Sequence, residues 1–269
     1  MRLAAGVEYQ GAGFSGWQRQ AGQRTVQECI ESAISKVANH PITVHCAGRT
    51  DAGVHASQQV IHFNTSSNRE LRSWVLGSNN NLPKDISLVW VKPVADDFHA
   101  RFSAIARKYR YIILNRETRP AVYGGLVTWK CRRLDENRMT EAATFLEGEH
   151  DFTSYQAVSC ESKKPVRTIK KLVICRIDDF IIIDIEANGF LRQMVRNIAG
   201  VLMLIGMGKQ DTGWSKTVLD ARERAVGGYT APAEGLHFIS AVYPMEFEIP
   251  DVNMGPALMK AIKCIKLDF

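Results

Sequence analysis

TVQECIESAISKVAN, Thr25 to Asn39, decides the fold. Val26, Cys29, Ile30, Ala33, Ile34 and Val37 recur at helical spacing and form one apolar face, so the stretch reads as an amphipathic helix. Thr25 and Glu28 have the spacing of a capping box at its start. Working outward, Leu3 to Tyr9 reads as a strand before the helix. Two short strands follow it, around Ile42 to Cys46 and Gln59 to Asn64. A second helix from about Arg69 to Leu76 and a strand from Ile86 to Val94 complete a βαββαβ order. The second half repeats the theme. It offers a strand from Lys108 to Leu114, a helix from Asp135 to Leu146, and strands from Ile169 to Arg176 and Phe180 to Glu186 joined by a tight turn at Asp178-Asp179. A long apolar helix from Leu191 to Met207, another from about Ser215 to Val226 and a strand from Leu236 to Tyr243 close it. The expected fold class is α+β: two ferredoxin-like, RRM-like βαββαβ domains with helices on one side of a mixed, mainly antiparallel sheet. The domains are expected at residues 1–105 and 106–244, followed by a tail at 245–269 without assigned role. No Gly/Ser-rich linker marks the boundary near Ala104 to Arg107, so the two sheets are expected to be continuous.

The chain has 269 residues and is 45% hydrophobic, enough to bury a large core. Its 34 Lys and Arg against 28 Asp and Glu leave a net charge of +6, which favours polyanionic partners and makes nucleic acid a candidate. Six cysteines, at 29, 46, 131, 160, 175 and 264, contain no C-x-x-C pair, and the start MRLAAGVEYQ lacks the apolar stretch of a secretory signal. A reduced, cytoplasmic protein is the economical expectation. The longest near-apolar run, Ile198 to Met207, is far shorter than the roughly 20 residues that span a bilayer.

Gly11-Ala-Gly13-Phe-Ser-Gly16 spells G-x-G-x-x-G after a strand and invites a dinucleotide reading. That loop must open a helix on its last glycine and have an acid about 20 residues on, at the end of a second strand. Here WQRQAGQ intervenes before the helix and no such acid follows, so a glycine-rich turn feeding a basic loop is expected, with no cofactor. His45, Cys46, His55 and His62 lack the tight local spacing of a zinc set. Strand histidines and a buried cysteine are expected there, with no metal.

AGRTDAGVHA, Ala47 to Ala56, places Asp51 between two glycines with Arg49 nearby. Asp and Gly form turns, and an exposed Arg–Asp pair contributes under about 1 kcal/mol, so a plain turn competes with a functional carboxylate. Three features favour function: glycines that allow close approach, a position between two core strands, and a cation able to hold the carboxylate ionised where water is excluded. An ionised, desolvated carboxylate serves as nucleophile or base.

GRTDAGVHA closely resembles the catalytic segment of the tRNA pseudouridine synthase A family. GWQRQ at Gly16 to Gln20, TVQ at Thr25 to Gln27, NLP at Asn81 to Pro83, FHARFSA at Phe98 to Ala104, RKYRY at Arg107 to Tyr111, DFTS at Asp151 to Ser154, GFLRQMVRNI at Gly189 to Ile198 and AEGL at Ala233 to Leu236 resemble it too. The resemblance implies isomerisation of uridine to pseudouridine without metal or redox cofactor. The bond from C1′ to N1 breaks, the base turns, and the bond from C1′ to C5 forms. It implies that Asp51 attacks the nucleotide or assists departure of the base, and that Tyr109 lies against the base. It further implies that Arg196 pairs with Asp51 in a cleft between the domains. Spacing alone does not separate Tyr109 from Tyr111, which shares its strand face. An arginine inside the apolar run Met194 to Ile205 requires a partner where it is buried, since an unpaired buried guanidinium is costly, and exposure at the end of the helix is the alternative.

A stem uridine must leave its stack before chemistry, at a cost of a few kcal/mol. The resemblance gives the bracing of that gap to the loop holding Arg49, helped by Asp96 to Ala100, which adds Phe98 and His99, with Arg101 just beyond. Arg19, Arg24, Arg69, Arg72, Lys163, Lys164 and Arg167 are expected as phosphate contacts, each weak and together salt-sensitive. The family implies a homodimer acting on uridines 38, 39 and 40 of the anticodon stem-loop, with tRNA as partner and no membrane. The rival is a non-catalytic RNA-binding module, since sheets with exposed aromatics stack bases; it leaves Asp51 and Arg196 without a task.

Overall fold

The computed structural model describes residues 1–158 and 164–250. They form two compact units, Met1–Ile105 together with 237–250, and Ala106–Leu236. Five α-helices and ten strands lie among the described residues.

In the first unit the order is β1 (Arg2–Tyr9), α1 (Val26–Ala38), β2 (His45–Cys46), β3 (His55–Asn64), α2 (Leu71–Asn81) and β4 (Ile86–Val94). β1 lies between β4 and β3, antiparallel to both, and β2 pairs antiparallel with the far end of β3. This is the ferredoxin-like order expected for βαββαβ. Nine of the ten residues of β3 are buried, so both its faces are covered. Phe63 packs on Trp74 of α2 at 5.5 Å, which assigns the odd-numbered side to the helices. The other side carries Gln58 and His62. It is covered by irregular chain: the Ala100 amide donates to His62 Nδ1 at 3.1 Å, and Gln58 Nε2 donates to the Pro250 carbonyl at 2.7 Å.

The capping box at Thr25 does not form. Thr25 makes no side-chain cap, and the first amides of α1 donate instead to distant carbonyls, Val26 to Gly16 at 3.2 Å and Gln27 to Trp17 at 3.0 Å. Chain folded back from the loop before the helix has taken over the capping function. α2 runs five residues past its expected end. Gly77 lets it approach Val37 of α1, and the Asn79 side chain binds both the amide and the carbonyl of Leu88.

The second unit contains β5 (Ala106–Asn115), β6 (Thr128–Lys130), α3 (Glu136–Thr144), β7 (Gly148–Asp151), β8 (Val166–Ile177), β9 (Phe180–Ala187), α4 (Met194–Gly206) and α5 (Trp214–Ala221). Its sheet runs β5, β9, β8, β7 with antiparallel neighbours, and β6 adds parallel pairing to the end of β5. Asp178, at φ 51°, makes the expected β8–β9 turn. Asp135 caps α3 by accepting from the amides of Asn137 and Arg138. α5 ends at Ala221, five residues before its expected end, with Arg222 as its cap at φ 50°, and a 3-10 turn at Arg224–Gly227 replaces the last stretch.

The strand expected to close the second domain is β10 (Leu236–Val242). His237 and Phe238 pair in parallel with His55 and Ala56 of β3, and residues 237–250 belong to the first unit. The reason is the short β2, whose pairing reaches only Ile61 and His62 and leaves the rest of that edge of β3 to be occupied. Among the described residues Cys29, Cys46 and Cys131 are free thiols. No helix among the described residues is long and apolar enough to cross a membrane.

Candidate active site

Asp51 lies in the loop from β2 to β3 and is half-buried. The loop is a turn, as one of the two expectations had it. The Val54 amide donates to the Asp51 carbonyl at 3.2 Å, and Gly53 takes φ +80°, as glycine does at the third position of a type II turn. Side chains and backbone from three elements fix the residues around it. Gln59, fully buried on β3, uses its amide to bind both backbone groups of Gly48, accepting from N–H at 3.2 Å and donating to the carbonyl at 2.6 Å. The Tyr9 hydroxyl meets Thr50 Oγ1 at 2.8 Å, and the Trp17 amide donates to the Thr50 carbonyl at 3.0 Å. Burial pushes the Tyr9 phenol well above its usual range, so it stays a neutral partner.

The G-x-G-x-x-G stretch finds its explanation here. Gly11 and Gly13 bound a 3-10 turn, and a Cβ on Gly11 would fall 1.9 Å from the Val54 carbonyl oxygen. Gly16, at φ +94°, would place a Cβ 3.0 Å from the Thr50 carbonyl oxygen, 3.1 Å from the Ala52 nitrogen and 3.2 Å from the Asp51 carbonyl carbon. These glycines admit the backbone of the Asp51 loop rather than a pyrophosphate. Spacing alone could not show this, since Val54 and Thr50 lie far along the chain from Gly11 and Gly16.

In the second unit Tyr109 sits on β5, buried, with its ring edge-on to Phe190 at 5.0 Å. The structure separates it from Tyr111. That side chain is fully buried, and its hydroxyl is committed to Thr128 Oγ1 at 2.6 Å and the Pro232 carbonyl at 2.8 Å. Arg196 occupies the first turn of α4 and is half-buried; its Nε donates to the Ala231 carbonyl at 2.8 Å while the Ala231 amide returns a bond to the Arg196 carbonyl at 3.1 Å. The next residue, fully buried Asn197, ties α4 to Tyr155 and Thr230, a support that sequence reasoning missed.

The expected RNA-contact residues divide. Arg49 is exposed on the Asp51 loop, and Arg69, Arg72, Arg101 and Lys164 are exposed as well. Arg69 Nε donates to the Val37 carbonyl at 2.7 Å. Arg19 is paired with Glu31, and Arg24 with Asp85 at 2.8 Å, so neither is a spare cation. Arg167, half-buried, donates to the carbonyls of Lys164 and Val166. Lys163 lies outside the described residues. Phe98 is a correction: it is 0% exposed, packed on His62, Tyr243 and Phe247, and serves the core rather than the nucleotide. His99 is partly accessible and lies with His45 and His62 at the end of β3 remote from Asp51. Of the imagined metal set, His45 and His62 are therefore neighbours, while His55 stacks on His237 and burial pushes the Cys46 thiol up to about 12.

The model of the tRNA pseudouridine synthase family matches residues 5–103 and 142–244. This chain belongs to that family. Asp51 and Arg196 fall within the matched stretches, and Tyr109 falls between them. The tRNA pseudouridine synthase A of Nitrosococcus oceani is 55% identical over 253 residues, covering 94% of this chain and 98% of its own. That of Alcanivorax borkumensis is 52% identical, over 95% and 96%, and that of Coxiella burnetii 51%, over 95% and 98%. A chain of the archaeal box H/ACA sRNP Nop10–Cbf5 complex aligns with 75% of this chain and 44% of its own at a TM-score of 0.35 and 10% identity, a likeness too loose to carry any inference.

Proposed function

We propose that this tRNA pseudouridine synthase uses Asp51 as its reacting carboxylate on an extruded uridine. The observation that carries the reading is the half-buried Asp51 on a loop whose flanking backbone is held by Tyr9, Gly16, Trp17 and Gln59. Such a loop holds a carboxylate oxygen in place without reorganisation at the moment of reaction. The C1′–N1 bond breaks and the C1′–C5 bond forms; the proton lost from C5 is balanced by one gained at N1. In the same reading Tyr109 contacts the base, and Arg196 supplies the guanidinium that keeps a catalytic carboxylate ionised. Exposed Arg49, on the same loop, braces the gap left by the base. Uridines 38, 39 and 40 of the anticodon stem-loop are the targets, the enzyme works as a homodimer, and its place of work is the cytoplasm. Support for these finer points is the resemblance of the motifs around Asp51, Tyr109 and Arg196.

The test is carbodiimide adduct mapping of tRNA incubated with each protein. Asp51→Asn is expected to bind tRNA and form no pseudouridine, and measurable turnover by that variant ends the proposal. Arg196→Ala should lose far more turnover than affinity. Equal losses would make it an RNA contact only.

A further inference from the structure

At the end of β3 remote from the Asp51 loop, a cavity of about 370 Å³ is lined by Arg2, Thr43, His45, His62, Asn64 and His99 among others, with no carboxylate in its wall. The imidazoles are packed ring on ring, His45 to His62 at 5.0 Å, His62 to His99 at 4.6 Å and His45 to His99 at 5.5 Å. Two of them have their tautomers set by the backbone. The Ala100 amide donates to His62 Nδ1 at 3.1 Å, and the amides of Arg101 and Phe102 donate to His99 Nδ1 at 3.1 and 3.3 Å. A ring nitrogen that accepts an N–H bond carries no proton, so each neutral ring keeps its proton on Nε2 and offers a donor there. Arg2 is held in place by Asn64 Oδ1 at 3.0 Å and by the carbonyls of Asp96 and Phe98. The Asn64 oxygen is thereby occupied. The wall thus combines oriented N–H donors with one fixed cation, the complement of an oxyanion.

Beside the cavity, Phe102 is 76% exposed, its ring 4.3 Å from that of His99 and 5.6 Å from the Arg101 guanidinium. An exposed aromatic with an arginine alongside is a stacking platform for a nucleobase. Metal binding fits less well: two of the Nδ1 atoms are spent on amides, and among the described residues no three His, Cys, Asp or Glu side chains are placed to hold an ion. Burial first, then the neighbouring His99, His45 and Arg2, push the His62 imidazole down to about 3, and burial lowers His99 as well. The His62 ring is therefore a neutral donor at neutral pH, and Arg2 supplies the charge.

We propose that this cavity seats one backbone phosphate of the bound tRNA, with an adjoining base against Phe102. The proposal rests on tRNA being the substrate. His55 and His62 are seven residues apart on β3, roughly 23 Å at about 3.3 Å per residue, so the phosphate lies several nucleotides from the uridine at Asp51. It also gives the 96–102 segment a task in docking the stem, in place of the bracing of the extruded base that the family resemblance implies.

The test uses the full chain and anticodon stem-loop RNAs in which one phosphate at a time is replaced by a neutral methylphosphonate. With wild type, one position should cost about tenfold in affinity, the scale of a hydrogen bond to a charged group. His99→Asn keeps an acceptor for the Arg101 and Phe102 amides but lacks the Nε2 donor. It should bind unmodified RNA roughly fivefold to tenfold more weakly and show little further penalty at that position. His45→Ala, at an exposed site, should act in the same direction and serves if His99→Asn does not fold. Penalties that are the same in all three proteins at every position would overturn the proposal. So would inorganic phosphate shifting the His62 and His99 ring resonances while no RNA position depends on them, which would mark a site for the free ion. Wild type that forms pseudouridine yet shows no such coupling sinks this inference alone, whereas wild type without pseudouridine sinks the catalytic reading first.

Discussion

The two ends of β3 hold their candidate functional groups in different ways. At the Asp51 end it is the loop's own backbone that is fixed: Gly11 and Gly16 admit it at distances that crowd a Cβ, and Tyr9, Trp17 and Gln59 hydrogen-bond the residues beside Asp51. At the histidine end the fixing is done by side chains around an open cavity, oriented by a few backbone amides. Close backbone packing suits a group that must not move during bond making, because small displacements there are expensive. A cavity walled by donors suits a ligand that arrives and leaves. The sharpest way to break the contrast is Gly16→Ala. The new methyl meets the backbone of Thr50, Asp51 and Ala52 at a φ of +94°, so the loop must shift. Turnover should drop about a hundredfold, the scale of a misplacement near 1 Å, with a stability loss of only roughly 1–3 kcal/mol. Pseudouridine formation and urea unfolding measured on the same preparation check both; a variant as active as wild type would mean that the loop position does not govern turnover.

The same contrast explains what could be read from the sequence. α1 and β4 appear in the structure within a residue or so of their expected ends because their apolar spacing is local information. Expectations failed where distant chain intervened. The α1 cap belongs to Gly16 and Trp17 rather than to Thr25, and α2 continues through Gly77–Asn81, a stretch of low helix propensity that packing against Val37 and Leu88 sustains. β10 pairs with the first unit because β2 is short, which no feature of residues 236–243 reveals. At the candidate site, Asp51 stands out in the sequence because glycines and a cation surround it in ten residues. Tyr9 and Gln59 were not, since they reach Thr50 and Gly48 across 41 and 11 positions. The histidine cavity was hidden for the same reason: His45, His62 and His99 come from three separate segments, joined by contacts such as the Ala100 to His62 bond that span 38 positions.

A second prediction removes one fixing contact without adding an atom. Tyr9→Phe deletes the hydroxyl that meets Thr50 Oγ1, in a place where both residues are buried. The threonine oxygen is then left without that partner, at a cost of roughly 1–3 kcal/mol. Because Trp17 still holds the Thr50 carbonyl, turnover should fall less than in Gly16→Ala. Should Tyr9→Phe lose as much activity as Gly16→Ala, the hydroxyl and not the glycine packing would be what positions the loop.

The smallest effect belongs to the other end of the strand and appears in acid. His62 is buried against His45, His99 and Arg2 with its Nδ1 committed to an amide, and its ring stays neutral down to about 3. In the unfolded chain the same ring takes up a proton near the ordinary value of about 6.5. Between those limits the unfolded state binds more protons than the native state, so lowering the pH from about 6.5 towards about 3 destabilises the fold. His99 is shifted in the same direction and adds to the effect. Carboxylates with ordinary values are silent between about pH 6.5 and 5.5, which leaves that window to histidines. The slope attributable to one such group cannot exceed about 1.4 kcal/mol per pH unit. His62→Asn retains an acceptor for the Ala100 amide and has nothing to protonate. It should start less stable, having lost part of a packed ring, yet lose less further stability between neutral pH and about pH 5.5 than wild type does. Urea midpoints at the two pH values read the difference directly. Parallel losses in the two proteins would show that the ring is not kept neutral by the fold, and the cavity would then become more cationic in mild acid, with a matching rise in affinity for RNA.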